Sequence, residues 1–292
     1  MPSTDTRPSR LRFGICGCLI SPTDPLGADI VEQLAVLGYD YIELSLRDLA
    51  ALPEAAFAAL ATRLRRAGVP CEACNNFFPP EIRLTGPAAD LPAALGYARA
   101  AFARAARLGV TVVVFGSSGA RNVPAGFPHD AAWVQLRALL VELGPIAEEH
   151  GITIVIEHLN RGESNILNSI AEGWRMAQEV AHPHVQVLAD AYHVRQENED
   201  PAILATLGSA LVHVHVAQQA ERVFPSGDDA ALADFFAKLR TTGYARRCSV
   251  EGYTKDFSAD AARALRVCRE LTGGPSRGIV YRAERQFEQS GN

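Results

Sequence analysis

The sequence predicts a single (β/α)8 barrel, and three observations lead to that fold. Eight short runs of β-branched or apolar residues alternate with longer stretches of helical periodicity. The runs begin about 34 residues apart, which is the size of one strand–helix unit in such a barrel. They are apolar almost throughout, as parallel strands covered on both faces require. Eight units of this size account for nearly all of the 292 residues.

The predicted strands are short, and each is bounded by polar residues or by glycine and proline. In chain order they are Leu11–Cys16, Tyr39–Leu46, Val69–Asn75, Val110–Gly116, Thr153–His158, Val185–Asp190, Leu211–Val216 and Cys248–Tyr253.

The predicted helices lie between these strands. The clearest is Ala131–His150, in which apolar residues recur at spacings of three and four and so form one face. The others are Asp29–Leu37, Glu54–Ala67, Asp90–Leu108, Ser169–Val180, Pro201–Leu207, Asp229–Thr242 and Ala259–Leu271. Several helices end at a glycine directly before the next strand, as at Gly38 and Gly68, where glycine supplies the left-handed residue that ends a helix.

A doubly wound sheet also alternates strands and helices and is the structural alternative. No G-x-G-x-x-G motif follows the first strand, which disfavours a dinucleotide-binding version of that fold. No linker divides the middle of the chain. We therefore predict a flexible amino-terminal arm over residues 1–10, one barrel over 11–272 and a polar tail over 273–292.

Composition restricts the possible partners. The net charge of −5 provides no basic excess for binding nucleic acid. No apolar run is long enough to span a membrane, and the first residues lack the apolar stretch of a signal peptide. The six cysteines are too few for a disulfide scaffold, and the pair Cys71 and Cys74 is predicted to be buried in the third strand. These features predict a cytoplasmic protein.

Polar residues end four consecutive strands of the predicted barrel. Strand five is followed by Glu157, strand six ends at Asp190, strand seven carries His215 and strand eight is followed by Glu251. Active sites of (β/α)8 barrels lie at the carboxyl ends of the strands. We therefore expect these four side chains to meet at one rim.

A divalent cation resolves the repulsion between three carboxylates brought together in a buried place. Three carboxylates and one imidazole leave two open positions in an octahedral shell, which suits Mn²⁺, Co²⁺ or Mg²⁺ better than a closed zinc site. Any one of these residues alone is better explained as an ordinary strand-end polar group. Their recurrence on four strands favours a site for one divalent metal ion. His213 is expected one layer deeper, packed and hydrogen-bonded.

The same residues lie in motifs of a known family. The segment Ile156–Glu163, followed by Asn168, resembles the E-x-x-N-R-x-E…N segment of the ketose 3-epimerases. These are the D-tagatose, D-psicose and L-ribulose 3-epimerases of the xylose isomerase-like TIM-barrel superfamily. Three further motifs of that family, D-x-x-H, H-x-H…R and a closing glutamate, are matched by Asp190–His193, by His213–His215 with Arg222, and by Glu251.

The resemblance implies a role for each matched residue. It implies that the metal ligands are Glu157, Asp190, His215 and Glu251, and that Glu157 and Glu251 also exchange protons with the substrate. It implies that the substrate's carbonyl end and hydroxyls are held by Glu163, His193 and Arg222. It also implies a small-molecule sugar as the substrate and a homo-oligomer, either a dimer or a tetramer.

The chemistry of such a site is the epimerisation or isomerisation of a ketose. A metal that binds a ketose carbonyl and its neighbouring hydroxyl stabilises the cis-enediolate formed when a carboxylate removes the adjacent carbon-bound proton. Two glutamates on opposite sides of that carbon allow a proton to leave one face and return to the other, which inverts C3. One base that returns the proton to the neighbouring carbon gives isomerisation instead.

Other functions remain open on the same site. Arg222 follows His215 by seven residues, whereas the resembling epimerases place it at six, and the longer spacing is nearer to hydroxypyruvate isomerases. An inosose dehydratase uses a similar site. An apurinic endonuclease of the related barrel needs extra histidines after strands two to four and a basic surface, neither of which is found here. A non-catalytic sugar-binding barrel is a further alternative.

Two more residues have two interpretations each. Glu43, in the second strand, either contacts the substrate at the rim or forms a buried ion pair. Arg121, after the glycine-rich stretch Gly116–Gly119, either binds a phosphate or belongs to an ordinary turn.

Overall fold

The computed structural model describes residues 10–218 and 220–273. Eight parallel strands form a closed barrel in sequence order, so the first strand pairs with the last. The strands are β1 (Arg12–Cys16), β2 (Tyr41–Ser45), β3 (Cys71–Asn75), β4 (Val112–Phe115), β5 (Thr153–Ile156), β6 (Val185–Asp190), β7 (Leu211–Val216) and β8 (Arg247–Val250). Each corresponds to one predicted strand, which confirms the (β/α)8 barrel.

The helices surround the barrel. They are α1 (Val31–Leu37), α2 (Leu46–Ala51), α3 (Glu54–Ala67), α4 (Leu91–Ala106), α5 (Ser118–Arg121), α6 (His129–Glu149), α7 (Ile170–Val180), α8 (Ala191–Gln196), α9 (Leu204–Leu207), α10 (Ala230–Thr241) and α11 (Phe257–Leu271). The helix predicted over Pro201–Leu207 is a 3-10 turn followed by α9. The short helices α2, α5 and α8 were not predicted, because one or two turns are too few to show a helical period.

The predicted glycine stops are present at the ends of α1 and α3. Gly38 and Gly68 have φ values of 80° and 67°, and their backbone N–H groups donate back into the last helical turn. Glycine adopts this left-handed conformation at little energetic cost. Each of the two glycines therefore ends its helix three residues before the next strand begins.

The apolar core has two layers separated by the sheet. The inner layer fills the barrel and consists of Tyr41, Ala73, Val112, Val114, Val155, Leu188 and Val212. The larger outer layer lies between the strands and the helices. Because the strands contact apolar side chains on both faces, most of their residues are apolar.

Charged residues are paired at the amino-terminal end of the barrel. The Glu72 carboxylate on β3 forms an ion pair with Arg12 at 2.5 Å and accepts from Arg247 Nε at 2.6 Å. Beside it, the predicted burial of Cys71 and Cys74 is confirmed, and both are free thiols 4.0 Å apart. This end of the barrel is therefore closed by ion pairs and apolar side chains.

Two predicted segments lie outside the described residues except for one residue each. Of the arm predicted over 1–10 only Arg10 is described, and it donates to Asp40 at 2.5 Å. Of the tail predicted over 273–292 only Gly273 is described. Within the described ranges, no helix has the length and apolar character needed to cross a membrane.

Candidate active site

The four strand-end residues lie together at the carboxyl end of the barrel. Glu157 follows β5, Asp190 ends β6, His215 lies on β7 and Glu251 follows β8. All four are buried, with exposed fractions of 0 to 7%. One ligand atom from each lies within 4.8 Å of those of the others. The arrangement expected from the strand ends is therefore present.

His215 is at the centre of this cluster. Its Nδ1 atom is 3.1 Å from Glu157 Oε1 and 3.2 Å from Glu251 Oε2. Burial alone would lower the pKa of His215, but the attraction of Glu43 and other anionic neighbours outweighs it and raises the pKa well above its ordinary value. The surrounding carboxylates thus favour a positive charge at this position.

Asp190 has one oxygen fixed by a backbone hydrogen bond, while the other, Oδ2, lies 3.8 Å from Arg222 Nη2 without a hydrogen bond to any described residue. Its Oδ1 atom accepts from the N–H of Tyr192 at 2.7 Å and so caps the start of α8. Its Oδ2 atom is buried and, among residues 10–218 and 220–273, has no hydrogen-bond partner. A buried carboxylate oxygen without a partner is costly, and a cation removes that cost. The donor set and this orphaned oxygen both fit a divalent metal ion.

The two glutamates have unequal affinities for a proton. Burial and repulsion from Glu251 raise the pKa of Glu157 above its ordinary value. Burial acts in the same direction on Glu251, but the positive charges of His215 and Arg222 outweigh it and lower the pKa well below its ordinary value. Two neighbouring carboxyl groups with pKa values driven apart are the usual arrangement for one proton donor and one proton acceptor.

Arg222 connects the cluster to the loop after β5. Its Nη2 atom donates to Glu251 Oε2 at 2.6 Å, and its Nη1 atom donates to Glu163 Oε1 at 3.2 Å. The guanidinium lies over the ring of Tyr192, 5.0 Å from its centroid. Arg222 and Glu163 therefore both lie at the rim, and their substrate-binding roles stay a prediction.

A local kink brings Arg222 to this position. Glu221 and Arg222 both have positive φ values, 59° and 50°. The carbonyl of Arg222 accepts from the N–H of Tyr253 at 2.7 Å, which attaches the kink to the loop after β8. The kink therefore turns the arginine onto Glu251 even though it lies seven residues after His215.

His193 also faces the cluster. Its Nδ1 atom accepts from the side chain of Asn160 at 2.8 Å, so the proton of the neutral ring is on Nε2. That Nε2 atom lies 3.5 Å from Asp190 Oδ2 and, in the part of the chain that the structure describes, makes no hydrogen bond. It is a buried donor available to a ligand.

Several neighbours of the site were not assigned a role from the sequence. Asn75, the last residue of β3, donates from Nδ2 to Glu251 Oε1 at 3.0 Å. Asn160 also donates to Glu163 Oε1 at 2.9 Å. Asn75 was detectable by its strand-end position, but an amide carries no charge to mark it as part of an anionic cluster.

The structure decides between the two interpretations of Arg121. The side chain is fully buried and donates at 2.8 Å to the carbonyl oxygens of Phe115 and Glu157. Burial lowers its pKa to about 10. Arg121 therefore ties the ends of β4 and β5 together as part of a turn, and its guanidinium is inaccessible to a phosphate.

Glu43 lies one layer below the rim, in a buried ion pair and not at the substrate surface. It accepts from His213 Nε2 at 2.8 Å and from His215 Nε2 at 3.0 Å. His213 is fully buried and hydrogen-bonded, as expected from its position two residues before His215.

A closed barrel of eight parallel strands surrounded by helices is a TIM barrel. Its cluster of acidic and histidine side chains lies at the carboxyl ends of the strands, where the active sites of TIM-barrel enzymes are found. A family model described as the xylose isomerase-like TIM barrel matches residues 31–271. The chain belongs to that family.

Individual relatives are similar over different lengths. The chain is 24% identical to D-psicose 3-epimerase of Agrobacterium fabrum over 247 residues, which cover 84% of this chain and 85% of that protein. It is 30% identical to 3-dehydro-D-guloside 4-epimerase of Escherichia coli over 125 residues, which cover 42% of this chain and 47% of that protein.

A solved structure has the same fold. The crystal structure of D-psicose 3-epimerase with D-tagatose from Clostridium cellulolyticum H10 matches with a TM-score of 0.79 and 20% sequence identity. The match covers 90% of this chain and 99% of that chain. The barrel and its helices therefore correspond over nearly the full length of both proteins.

Proposed function

We propose that this protein is a divalent-metal-dependent epimerase that inverts one carbon, C3 in the first instance, of a ketose or a keto sugar derivative. The relatives are named epimerases, so the chain is an enzyme, and sugar epimerisation is the activity that they support. In this proposal Glu157 and Glu251 transfer the protons. The proposed metal ligands are Glu157, Asp190, His215 and Glu251.

One observation carries the proposal. Three buried carboxylates and one imidazole place their ligand atoms within 4.8 Å of one another, and one of those atoms, Asp190 Oδ2, lacks a hydrogen-bond partner among the described residues. Oxygen-rich sets of this kind suit Mn²⁺, Co²⁺ or Mg²⁺. When bound, such an ion supplies positive charge that stabilises the negative charge developing on a carbonyl oxygen of the substrate.

Proton transfer is the task of the two glutamates. They follow β5 and β8, on different sides of the barrel rim, and their pKa values are shifted in opposite directions. One carboxylate removes the proton from the carbon next to the ketone, and the other returns a proton to the opposite face. Two carboxylates that reach the same space from different strands support inversion of that carbon.

Substrate binding falls to the three remaining residues. The free Nε2–H of His193 is available to donate to a substrate oxygen, and the guanidinium of Arg222 borders the same space. Glu163 is paired with the other side of the Arg222 guanidinium, and its carboxylate is an acceptor for hydroxyl groups of the proposed substrate. Hydroxyl-rich, uncharged ligands suit this mixture of donors and acceptors.

The alternative activities use the same cluster. The spacing of Arg222 favours hydroxypyruvate isomerisation, but the kink at Glu221 offers a local explanation for that spacing. Inosose dehydration is an alternative because it uses a similar site. A phosphodiesterase of the endonuclease type needs histidines after β2 to β4, where Ser45, Asn75 and Gly116 are found. The predicted cytoplasmic location and the predicted homo-oligomer stay predictions.

Metal removal and replacement test the proposed reaction. Protein stripped with a chelator is expected to lose activity on D-tagatose, D-psicose or L-ribulose and to regain it with Mn²⁺ or Co²⁺. Deuterium exchange from solvent, followed by NMR, identifies the carbon that exchanges and so separates epimerisation from isomerisation. Absence of metal-restored turnover on every ketose and on hydroxypyruvate would refute the proposal and favour a sugar-binding barrel.

The Glu251→Gln variant tests the proton-transfer role. We expect it to abolish epimerisation and to abolish deuterium exchange with the epimer whose proton Glu251 removes, because an amide cannot accept that proton. Glu72→Gln, which alters a buried carboxylate at the opposite end of the barrel, is the matched control and is expected to exchange normally. Normal exchange with both epimers in Glu251→Gln would remove Glu251 from proton transfer.

A further inference from the structure

A second layer of polar residues lies directly below the candidate active site. Its centre is the Glu43 carboxylate on β2, which is completely buried. A buried carboxylate is tolerated when its oxygens are matched by donors. Glu43 has three donors within hydrogen-bond distance: His213 Nε2 at 2.8 Å, His215 Nε2 at 3.0 Å and Ser249 Oγ at 2.6 Å.

Each oxygen of Glu43 has a separate task. Oε2 accepts from both His213 and Ser249, and the Ser249 hydroxyl in turn lies 2.8 Å from the hydroxyl of Tyr41. Among residues 10–218 and 220–273, Oε1 accepts only from His215. Rotation of the carboxylate would break bonds on both sides, so its orientation is fixed by β2, β7 and β8 together.

The two ring nitrogens of His215 consequently face different groups. Nε2 points down to Glu43, while Nδ1 points up to Glu157 and Glu251. A carboxylate only accepts hydrogen bonds, so the bond to Glu43 requires the proton on Nε2. The nitrogen that remains for the cluster above is Nδ1.

We propose that Glu43 is a positioning residue that holds the ring of His215 and its Nε2–H tautomer, so that the lone pair of Nδ1 is directed to the divalent cation. This inference rests on the proposed function and adds a residue to it. Glu43 itself lies outside the four-residue ligand group. Carboxylates that orient a metal-binding histidine from behind raise its affinity for the metal.

The Glu43→Gln variant is the sharpest test, because glutamine has nearly the same shape. Keeping both existing hydrogen bonds at Oε2 requires an oxygen at that position, which places the amide nitrogen against His215 Nε2. Two donors cannot share that bond. His215 then carries its proton on Nδ1, which removes the lone pair from the cluster.

The matched control is Glu72→Gln, a buried carboxylate on β3 whose partners are arginines at the amino-terminal end of the barrel. The Glu72→Gln variant also replaces a buried carboxylate by an amide, but residue 72 pairs with arginines and not with His215. Binding of Mn²⁺ is measured for the wild type and both variants from the EPR signal of the free ion. We expect Glu43→Gln to weaken binding by about 10- to 100-fold and Glu72→Gln by about twofold or less.

The ¹⁵N NMR shifts of the histidine ring are measured on the wild type loaded with diamagnetic Mg²⁺, with His215→Asn used to assign the signal. The expected result is a protonated Nε2 and an unprotonated Nδ1. This measurement does not depend on whether a Glu43 variant folds. A protonated Nδ1 in the Mg²⁺-loaded wild type would overturn the inference.

The outcomes separate the two proposals. If the wild type binds Mn²⁺ and Glu43→Gln binds it equally well, the positioning role is refuted while the proposed function stands. If the wild type binds neither Mn²⁺ nor Mg²⁺ at millimolar concentrations, the proposed metal-dependent function is refuted, and the inference fails with it.

Discussion

Glu157 is held in place by two residues that the order of the sequence does not connect to it. Arg121 donates to its backbone carbonyl at 2.8 Å. A Cβ atom at Gly116 would lie 2.2 Å from its Oε2 atom, so the lack of a side chain at residue 116 leaves the space that the carboxylate fills. The position of this proposed acid–base group is therefore determined largely by the end of the preceding strand.

The Gly116→Ala variant tests this dependence. The added methyl group is expected to displace the Glu157 carboxylate and lower kcat by about 10²-fold, since an error of 1 Å in a reacting group has that effect. The melting temperature is expected to change little, because the displaced atom is the end of a side chain.

The control for this variant is Gly96→Ala in α4, where a Cβ atom meets nothing within 4 Å among the described residues. That change is expected to preserve kcat and to stabilise the fold by about 0.5–1 kcal/mol. Equal activity of Gly116→Ala and the wild type would contradict the steric role assigned to residue 116.

The proposed ligands were predictable from the sequence, whereas most of their supports were not. Glu157, Asp190 and Glu251 are charges at the ends of apolar strands, and this local contrast is visible in the chain. Arg121 and Glu157 are 36 positions apart in the sequence, and Asn75 and Glu251 are 176 positions apart. A local sequence pattern cannot predict contacts between residues so far apart. The proposed role of Glu43 depends on its distances to the two histidines, which only the structure provides.

The loops after the strands contain the irregular backbone of this protein. Of the seven non-glycine residues with positive φ among those described, five lie in these loops: Asn76, Ser117, Leu167, Glu221 and Arg222. Such conformations cost about 1–3 kcal/mol each and persist where surrounding contacts hold them. Strand positions followed from hydrophobicity alone, but these turns depend on hydrogen bonds between loops and were not predicted.

Asn165 joins two of these loops. Its side chain accepts from the N–H of Val123 at 2.8 Å and donates to the carbonyl of Val123 at 2.9 Å, so the loop after β5 is paired with the loop after β4. The same β5 loop contains Glu163. The orientation of Glu163 therefore depends in part on a pair of hydrogen bonds two residues away.

The Asn165→Ala variant tests this connection. We expect KM to rise by roughly five- to tenfold with a smaller change in kcat, because two hydrogen bonds that position a substrate-binding loop are lost. Steady-state kinetics on the ketose that the enzyme uses provide both constants. Gln186→Ala is the control: its side chain donates to Pro183 before β6, and unchanged kinetics are expected. A similar rise in KM for both variants would refute the specific role of Asn165.

At the scale of the molecule, the cluster of Glu157, Asp190, His215 and Glu251 concentrates negative charge, and repulsion between its carboxylates destabilises the folded barrel. Part of the net charge of −5 comes from carboxylates that face one another at the barrel rim. The opposite end has no such excess, because Glu72 is matched by Arg12 and Arg247. A cation at the rim is therefore expected to stabilise the folded barrel, in addition to stabilising the negative charge that develops on the substrate.

Urea unfolding with and without Mn²⁺ tests this expectation. At a free Mn²⁺ concentration 100 times its dissociation constant, the free energy of unfolding is expected to rise by about 2.7 kcal/mol, because the ion binds the folded state alone. The His215→Asn variant is expected to lose most of this gain. Equal stability of the wild type at all Mn²⁺ concentrations would show that no ion binds this cluster.

The pairing of β1 with β8 has a consequence for how the protein is made. Residues 12–15 lie beside residues 247–250, so one edge of β1 lacks its neighbour until the last strand has been synthesised. Glu251 follows immediately after that strand. During translation, barrel closure and completion of the ligand cluster thus await the same short segment, and a chain released before it exposes two unpaired strand edges and has no competent site.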